Sequence, residues 1–154
     1  MELSIFSDES FMKEALKEAQ KALEKNEVPI GAVIVSNNKI IARSHNLCET
    51  LNDATAHAEM QAITSASNYF GSKYLNDCTL FVTLEPCAMC ASASAWSQIG
   101  KIVYGASDEK KGFTKIAQNI LHPKTKIVSG IQKNACSKLV IDFFEKKRNR
   151  KNQY

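Results

Sequence analysis

The sequence has no apolar run of about 18 residues, the minimum for a membrane-spanning helix, so no membrane partner is expected. A secretory signal is also missing, because residues 1–9 mix acids with isolated apolar residues and no apolar stretch follows. Internal repeats and Gly/Ser-rich linkers are absent too. Of the 154 residues, 44% are hydrophobic and 23% are charged, which favours one globular domain over residues 1–154.

The sequence contains five cysteines, an odd number that does not suit a framework of paired disulfides. Without a secretory signal, free thiols and metal ligands are the better interpretation. The expected location is therefore cytoplasmic.

The net charge of +4 comes from the C-terminal end. Residues 146–154 hold five cations and no acid, and without those five the net charge would be −1. We expect a basic helix end and tail there, which can contact phosphates. The alternative is a solvated helix end whose cations offset the helix dipole. Both interpretations stay open.

Short apolar and β-branched runs predict the strands. The runs 30–35 and 39–43 flank Ser36-Asn37-Asn38 and predict a β-hairpin, since asparagine tolerates left-handed turn geometry. Three further strands are predicted, at 79–84, 101–105 and 126–128.

Helical spacing of apolar residues predicts a first helix that ends near Asn26, with Ser7 or Asp8 as its N-cap. In a second helix, Met60, Ile63 and Phe70 are expected to face the core. Three more helices are expected, at 86–97, around 115–121, and over about 131–143. Alternating helices and strands indicate a three-layer α/β/α sandwich around a mixed sheet of about five strands.

Four residues suggest a metal site: His57, Glu59, Cys87 and Cys90. Cys87 and Cys90 lie three apart at the start of a predicted helix, so both thiols share one face. The helix N-terminus also favours their thiolate form. His57 begins another helix. Two helix starts meeting at one point would present one imidazole and two thiolates to a metal.

Sulfur and nitrogen donors favour zinc, and three protein ligands leave a position for water, as in catalytic sites. Glu59 is close enough to take a proton from that water, because zinc lowers the water's pKa to about 7. A redox pair or a structural site are the alternatives. A fourth structural ligand would come from residues at no characteristic spacing, namely Cys48, Cys78, Cys136, His45 or His122.

Two motifs carry a family resemblance. His57-Ala58-Glu59 and Pro86-Cys87-Ala88-Met89-Cys90 match the His-x-Glu and Pro-Cys-x-x-Cys signature of the zinc nucleobase deaminases. Over nearly its whole length the chain also resembles the bacterial tRNA-specific adenosine deaminases. The segments that carry this second resemblance are Glu27-Val28-Pro29-Ile30-Gly31-Ala32-Val33, His45-Asn46, Thr55-Ala56-His57-Ala58-Glu59, Thr83-Leu84-Glu85-Pro86-Cys87 and Gly105-Ala106-Ser107-Asp108.

The resemblance implies a single deaminase domain with the cytidine deaminase-like fold, working as a homodimer. Its implied activity is zinc-dependent hydrolysis of adenosine to inosine at the wobble position of a tRNA anticodon loop. One Zn²⁺ per chain would be held by His57, Cys87 and Cys90, with Glu59 moving the protons.

The resemblance also implies substrate contacts. Asn46 matches an asparagine that hydrogen-bonds the base, although an Asx turn is an alternative role for it. Ile30 would line the apolar pocket, unless it is only a core strand residue. Asp108 matches a residue near the RNA backbone, where a carboxylate can accept a hydrogen bond from a 2′-hydroxyl.

Two rival functions stay open. The nearer is a small-molecule deaminase acting on guanine or cytosine; Trp96 resembles the guanine deaminases at this point. The other is a zinc-stabilised RNA-binding module without catalysis, in which Glu59 would have no role.

Overall fold

Residues 5–153 are described by the structure, a computed structural model. Its five strands are β1 (Gly31–Ser36), β2 (Lys39–His45), β3 (Thr79–Leu84), β4 (Lys101–Ala106) and β5 (Lys126–Ser129). They form one sheet in the order β2-β1-β3-β4-β5. β1 runs antiparallel to β2 and β3, whereas β3, β4 and β5 are mutually parallel. The predicted mixed sheet of five strands is confirmed.

Helices cover both faces of the sheet. They are α1 (Asp8–Glu24), α2 (Cys48–Leu51), α3 (Ala58–Phe70), α4 (Ala88–Trp96), α5 (Phe113–Ile116) and α6 (Lys133–Lys151). α1 and α6 pack on one face, and α3 and α4 pack on the other. The three-layer α/β/α sandwich is therefore confirmed. Across residues 5–153, none of these helices has the length and apolar character needed to cross a membrane.

The central strands are apolar because both of their faces are covered. In β1, Ala32 and Ile34 pack towards α3, whereas Val33 and Val35 pack towards α1. Side chains alternate along a strand, so a strand between two helical layers reads as a continuous apolar run.

The first helix and the hairpin follow their local signals. The Ser7 hydroxyl accepts the Ser10 N–H at 3.1 Å and so caps α1. Asn37 and Asn38 adopt φ values of 52° and 59°, as a two-residue hairpin turn between β1 and β2 requires.

The predicted core face of α3 is confirmed only for Ile63. Small residues at helical spacing are the ones that are fully buried: Ala58, Ala62 and Ala66. Ile63 is partly buried and packs against the core, Met60 is only partly buried, and Phe70, at the helix end, is 43% exposed. The alanines allow α3 to lie close to the sheet.

Helix boundaries in the second half also differ from the prediction. The helix expected around 115–121 is instead the single turn α5, which begins at the buried Phe113. The final helix starts at Lys133 and continues to Lys151. The predicted basic tail is thus mostly the last turns of α6, whose side chains from 146 to 151 are exposed; Tyr154 lies outside the described residues.

One edge of the sheet collects the chain segments that matter for chemistry. β3 and β4 end there, and the antiparallel β1 begins there, since Ala32 lies opposite Val82. The segments that leave this edge lead into the N-termini of α3 and α4.

Candidate metal centre and active site

Two helix N-termini bring the three predicted ligands together. His57 is the N-cap residue of α3, and Cys87 is the N-cap residue of α4, with Cys90 in its first turn. The His57 Nδ1 atom lies 3.6 Å from Cys87 Sγ and 3.4 Å from Cys90 Sγ. All three donor atoms lie within 4.8 Å of one another.

The spacing of these donors fits a zinc ion. With Zn–S near 2.3 Å and Zn–N near 2.0–2.1 Å, neighbouring sulfur and nitrogen ligands of a tetrahedral site lie about 3.5 Å apart. The two S···N distances in the structure, 3.6 and 3.4 Å, fall on either side of that value. Among residues 5–153, no fourth Cys, His, Asp or Glu joins the group. Three ligands leave one position open, as in catalytic zinc sites.

The protons on the two sulfurs are divided unequally. The hydrogen bond from the Cys90 thiol lowers the pKa of Cys87 to about 4, and His57 acts in the same direction. The same contact with Cys87, together with burial, raises the pKa of Cys90. The hydrogen bond to Cys87 raises the pKa of His57. The protein alone therefore favours the thiolate form that zinc needs at Cys87 only. At Cys90 and His57 it favours the protonated forms, so metal binding has to displace those protons.

Glu59 lies beside the donors without being one of them. It is the second residue of α3 and only 4% exposed. Burial raises the pKa of its carboxyl group, which hydrogen-bonds with the Cys90 thiol. A buried carboxyl with a raised pKa next to a metal position is suited to take and give protons near neutral pH.

Asn46 performs the turn role that the sequence left open. Its Oδ1 accepts the Cys48 N–H at 3.3 Å, and its Nδ2 donates to the Val28 carbonyl at 3.5 Å. A carboxamide has two donor hydrogens and two acceptor lone pairs, so one of each remains. The turn role and contact with a base are compatible.

The other two predicted contacts lie on either side of the same sheet edge. Ile30 directly precedes β1 and is partly buried against the core on the α3 side. Asp108 follows β4, and its Oδ1 accepts the N–H groups of Lys110 and Lys111 at 3.1 and 3.0 Å. A β-bridge between Gly112 and Cys87 keeps this loop beside the ligands.

Sequence reasoning missed two buried residues next to the site, Glu27 and Glu85. They are 0% and 3% exposed and bind the loops on either side of the ligands. The sequence does carry a signal for them, because each acid precedes a proline by one or two residues next to a buried strand: Glu27 comes before β1 and Glu85 directly after β3.

Surface shape alone does not point to this site. A cavity of about 400 Å³ lies at the opposite edge of the sheet, where β3 and β4 begin. Its walls include Asn76, Gln98, Lys101 and Lys124, and none of the metal-site residues. The chemistry of the donors identifies the site.

Comparison with known proteins gives consistent matches. The sequence profile described as "Cytidine and deoxycytidylate deaminase zinc-binding region" matches residues 6–106. A tRNA-specific adenosine deaminase of Bacillus subtilis (strain 168) is 47% identical over 149 residues, which cover 94% of this chain and 92% of that protein.

Solved structures match as well. One, from a study of A-to-I editing by tRNA:A34 deaminases at the wobble position of transfer RNA, is 41% identical with a TM-score of 0.79, covering 84% of this chain and 97% of that one. The guanine deaminase of Bacillus subtilis is 35% identical with a TM-score of 0.65, covering 76% and 78%.

Proposed function

Since the chain belongs to the cytidine and deoxycytidylate deaminase zinc-binding family, we propose that it is a hydrolase that converts adenosine to inosine at the wobble position of a tRNA anticodon. The observation that carries the deaminase chemistry is Glu59, a buried carboxyl beside three metal donors and not one of them. The choice of substrate is supported by the tRNA deaminases, whose identities of 47% and 41% exceed the 35% of the guanine deaminase.

We assign the zinc to Nδ1 of His57 and the thiolates of Cys87 and Cys90. Zinc in such a site is a Lewis acid that makes water a nucleophile at neutral pH. The chain supports this assignment because the three donors lie at distances that fit a tetrahedral zinc site.

Glu59 moves the protons. Its carboxylate takes one from the attacking water and delivers it to the purine ring as the new C–O bond forms at C6. It then passes the second proton of that water to the amino group, which leaves as ammonia. Adenosine and water become inosine and ammonia, and Glu59 returns to its starting form. The raised pKa of the buried carboxyl suits both halves of this cycle.

Three residues around the metal position contact the substrate in this proposal. The remaining donor and acceptor of Asn46 bind an edge of the base. Ile30 forms an apolar wall. The Oδ2 atom of Asp108 has no partner within residues 5–153, so it is available to accept a hydrogen bond from a ribose 2′-hydroxyl.

We extend the proposal to the whole chain as a single deaminase domain whose basic end, residues 146–154, contacts RNA phosphates. The exposed cations in the last turns of α6 support that contact. A homodimer is supported by Trp96 at the end of α4, which is 82% exposed, a high value for a large aromatic side chain. The free cysteines and the tRNA substrate support a cytoplasmic location.

A product assay tests the substrate. An anticodon stem-loop with adenosine at the wobble position is compared with free guanine, cytosine and adenosine, and products are identified by mass spectrometry. We expect inosine at that one position of the RNA and no turnover of the free compounds. Ammonia released from guanine alone would instead identify a free-base deaminase.

A further inference from the structure

Glu27 binds the segment between β2 and α3, residues 46–57, which we call the histidine loop because it ends at His57. The carboxylate is completely buried. Its Oε1 accepts the Glu49 N–H at 3.0 Å. Its Oε2 accepts both the N–H and the hydroxyl of Thr50, at 2.7 and 2.6 Å. Three donors from the loop therefore meet one carboxylate.

Glu85 makes the same set of contacts with residues 107–114, which we call the bridge loop because Gly112 in it pairs with Cys87. Its Oε1 accepts the Asp108 N–H at 3.2 Å. Its Oε2 accepts both the N–H and the hydroxyl of Thr114, at 3.0 and 2.7 Å. A Cβ on Gly112 would overlap this carboxylate, so bridge loop and carboxylate are in close contact.

The match between the two sites follows from the topology. Glu27 precedes β1 and Glu85 follows β3, and these strands are antiparallel neighbours. Both carboxylates therefore lie at the sheet edge where the metal donors meet.

A helix of only four residues goes with each loop: α2 lies inside the histidine loop, and α5 begins at the end of the bridge loop. A helix of one turn is not stable by itself, so its position depends on tertiary contacts. A carboxylate only accepts hydrogen bonds. Each of these two carboxylates is contacted by N–H and O–H donors, so it can stabilise the short helix through charge-assisted hydrogen bonds.

We propose that Glu27 and Glu85 are positioning residues, each of which holds one of the two loops against the metal centre. Glu27 sets the histidine loop, which carries Asn46 and His57. Glu85 sets the bridge loop, which carries Asp108. Neither touches the reacting atoms. This assignment rests on the proposed function. It implies that a change at Glu27 alters only the position of the histidine loop, and a change at Glu85 only that of the bridge loop.

Paired threonine variants test the proposal. Thr50→Val and Thr114→Val each remove one hydroxyl donor to a carboxylate and keep the side-chain shape. Thr50→Ser and Thr114→Ser keep the donor and serve as matched controls. The isosteric Glu27→Gln and Glu85→Gln would place an amide N–H against backbone donors and are expected to act more strongly, unless they fail to fold.

The two valine variants should differ in kinetics. Thr114→Val loosens the loop that contacts RNA, so we expect KM for the stem-loop to rise about tenfold with a smaller change in kcat. Thr50→Val loosens the loop that sets His57 and Asn46, so kcat should fall about tenfold. Each serine control should stay within about twofold of the unaltered protein. If both valine variants keep kcat and KM while only Tm falls, the role is merely structural and the proposal is overturned.

Hydrogen exchange without substrate separates this proposal from the proposed function. Amides of the bridge loop should exchange faster in Thr114→Val alone, and those of the histidine loop in Thr50→Val alone, at unchanged zinc content. Unchanged exchange in both loops would overturn the positioning role even in an active enzyme. Faster exchange in a protein that does not deaminate the stem-loop would instead count against the proposed substrate.

Discussion

Gly31 marks the closest approach between α1 and the sheet, and replacing it with alanine should destabilise the protein strongly. A Cβ at this position would lie well under 3 Å from the Ala15 carbonyl oxygen and the Ala19 nitrogen, and 2.9 Å from the carbonyl carbon of Glu18. All three atoms belong to the backbone of α1, so no side chain can turn aside. The helix would have to move.

The size of the effect follows from that movement. Shifting α1 outwards by about 1 Å relieves the overlap but weakens dispersion contacts along the helix by a quarter to about half. Overpacking costs up to about 3 kcal/mol, and contacts with rigid backbone belong at the upper end. For a domain of this size each kcal/mol lowers Tm by about 2–4 °C, so Gly31→Ala should lower Tm by about 6–12 °C.

Gly71→Ala is the matched control. Gly71 has φ of 61°, and a Cβ there would have no neighbour within 4 Å. Its substitution costs only the left-handed backbone penalty, about 1 kcal/mol, or about 2–4 °C. Both variants are measured by thermal unfolding at saturating zinc. A loss of Tm in Gly31→Ala no larger than in Gly71→Ala would refute the close-approach argument.

Three further outcomes are expected. Glu59→Gln should lower kcat at least about 100-fold at unchanged zinc content; residual activity above a tenth would contradict its role as proton carrier. Removing zinc with a chelator should abolish activity and lower Tm, and added zinc should restore both; full activity in protein shown to be metal-free would contradict the assignment. Replacing Arg148, Arg150 and Lys151 with glutamine should leave Tm unchanged, weaken RNA binding and flatten its salt dependence; an unaltered slope would make these cations a solvated helix end.

The strands and the hairpin could be predicted because their signals are local. Asn37 and Asn38 supply the left-handed conformations that a tight turn needs, and the apolar runs beside them have no competing helical period. The pairing of β1 with β3 involves no such local signal. It depends on the long connection between them and needs the assembled sheet.

The metal donors could be predicted for a different reason. Cys87 and Cys90 share a helix face through their spacing alone. His57 lies 30 residues before Cys87 along the chain, so spacing does not connect them. Two thiolates are too few ligands for a zinc site, and this shortage, together with the family motif, indicates His57 as the third ligand.

The helices that the sequence predicts wrongly or not at all depend on tertiary contacts. Phe113 begins α5 because its ring packs edge-on against Tyr104, at 6.3 Å between centroids, and its N–H bonds to the Pro86 carbonyl. α2 has four residues and is bound by Glu27. The alanine face of α3 follows from how near that helix lies to the sheet, which the periodicity of large apolar residues does not reveal.

The helices α3 and α4 each begin with an N-cap residue whose side chain makes no capping hydrogen bond within residues 5–153. An N-cap position usually holds Ser, Thr, Asp or Asn, whose side chain bonds a free N–H of the first turn. His57 and Cys87 stand there instead, and neither makes such a bond to a described residue. A missing cap costs about 1 kcal/mol, so the metal-free protein carries two weakened helix starts that meet at one place. The two residues proposed as metal ligands therefore lower the stability of the helices that they begin. A Cys87→Ser chain would gain a better cap and lose one of the three proposed ligands.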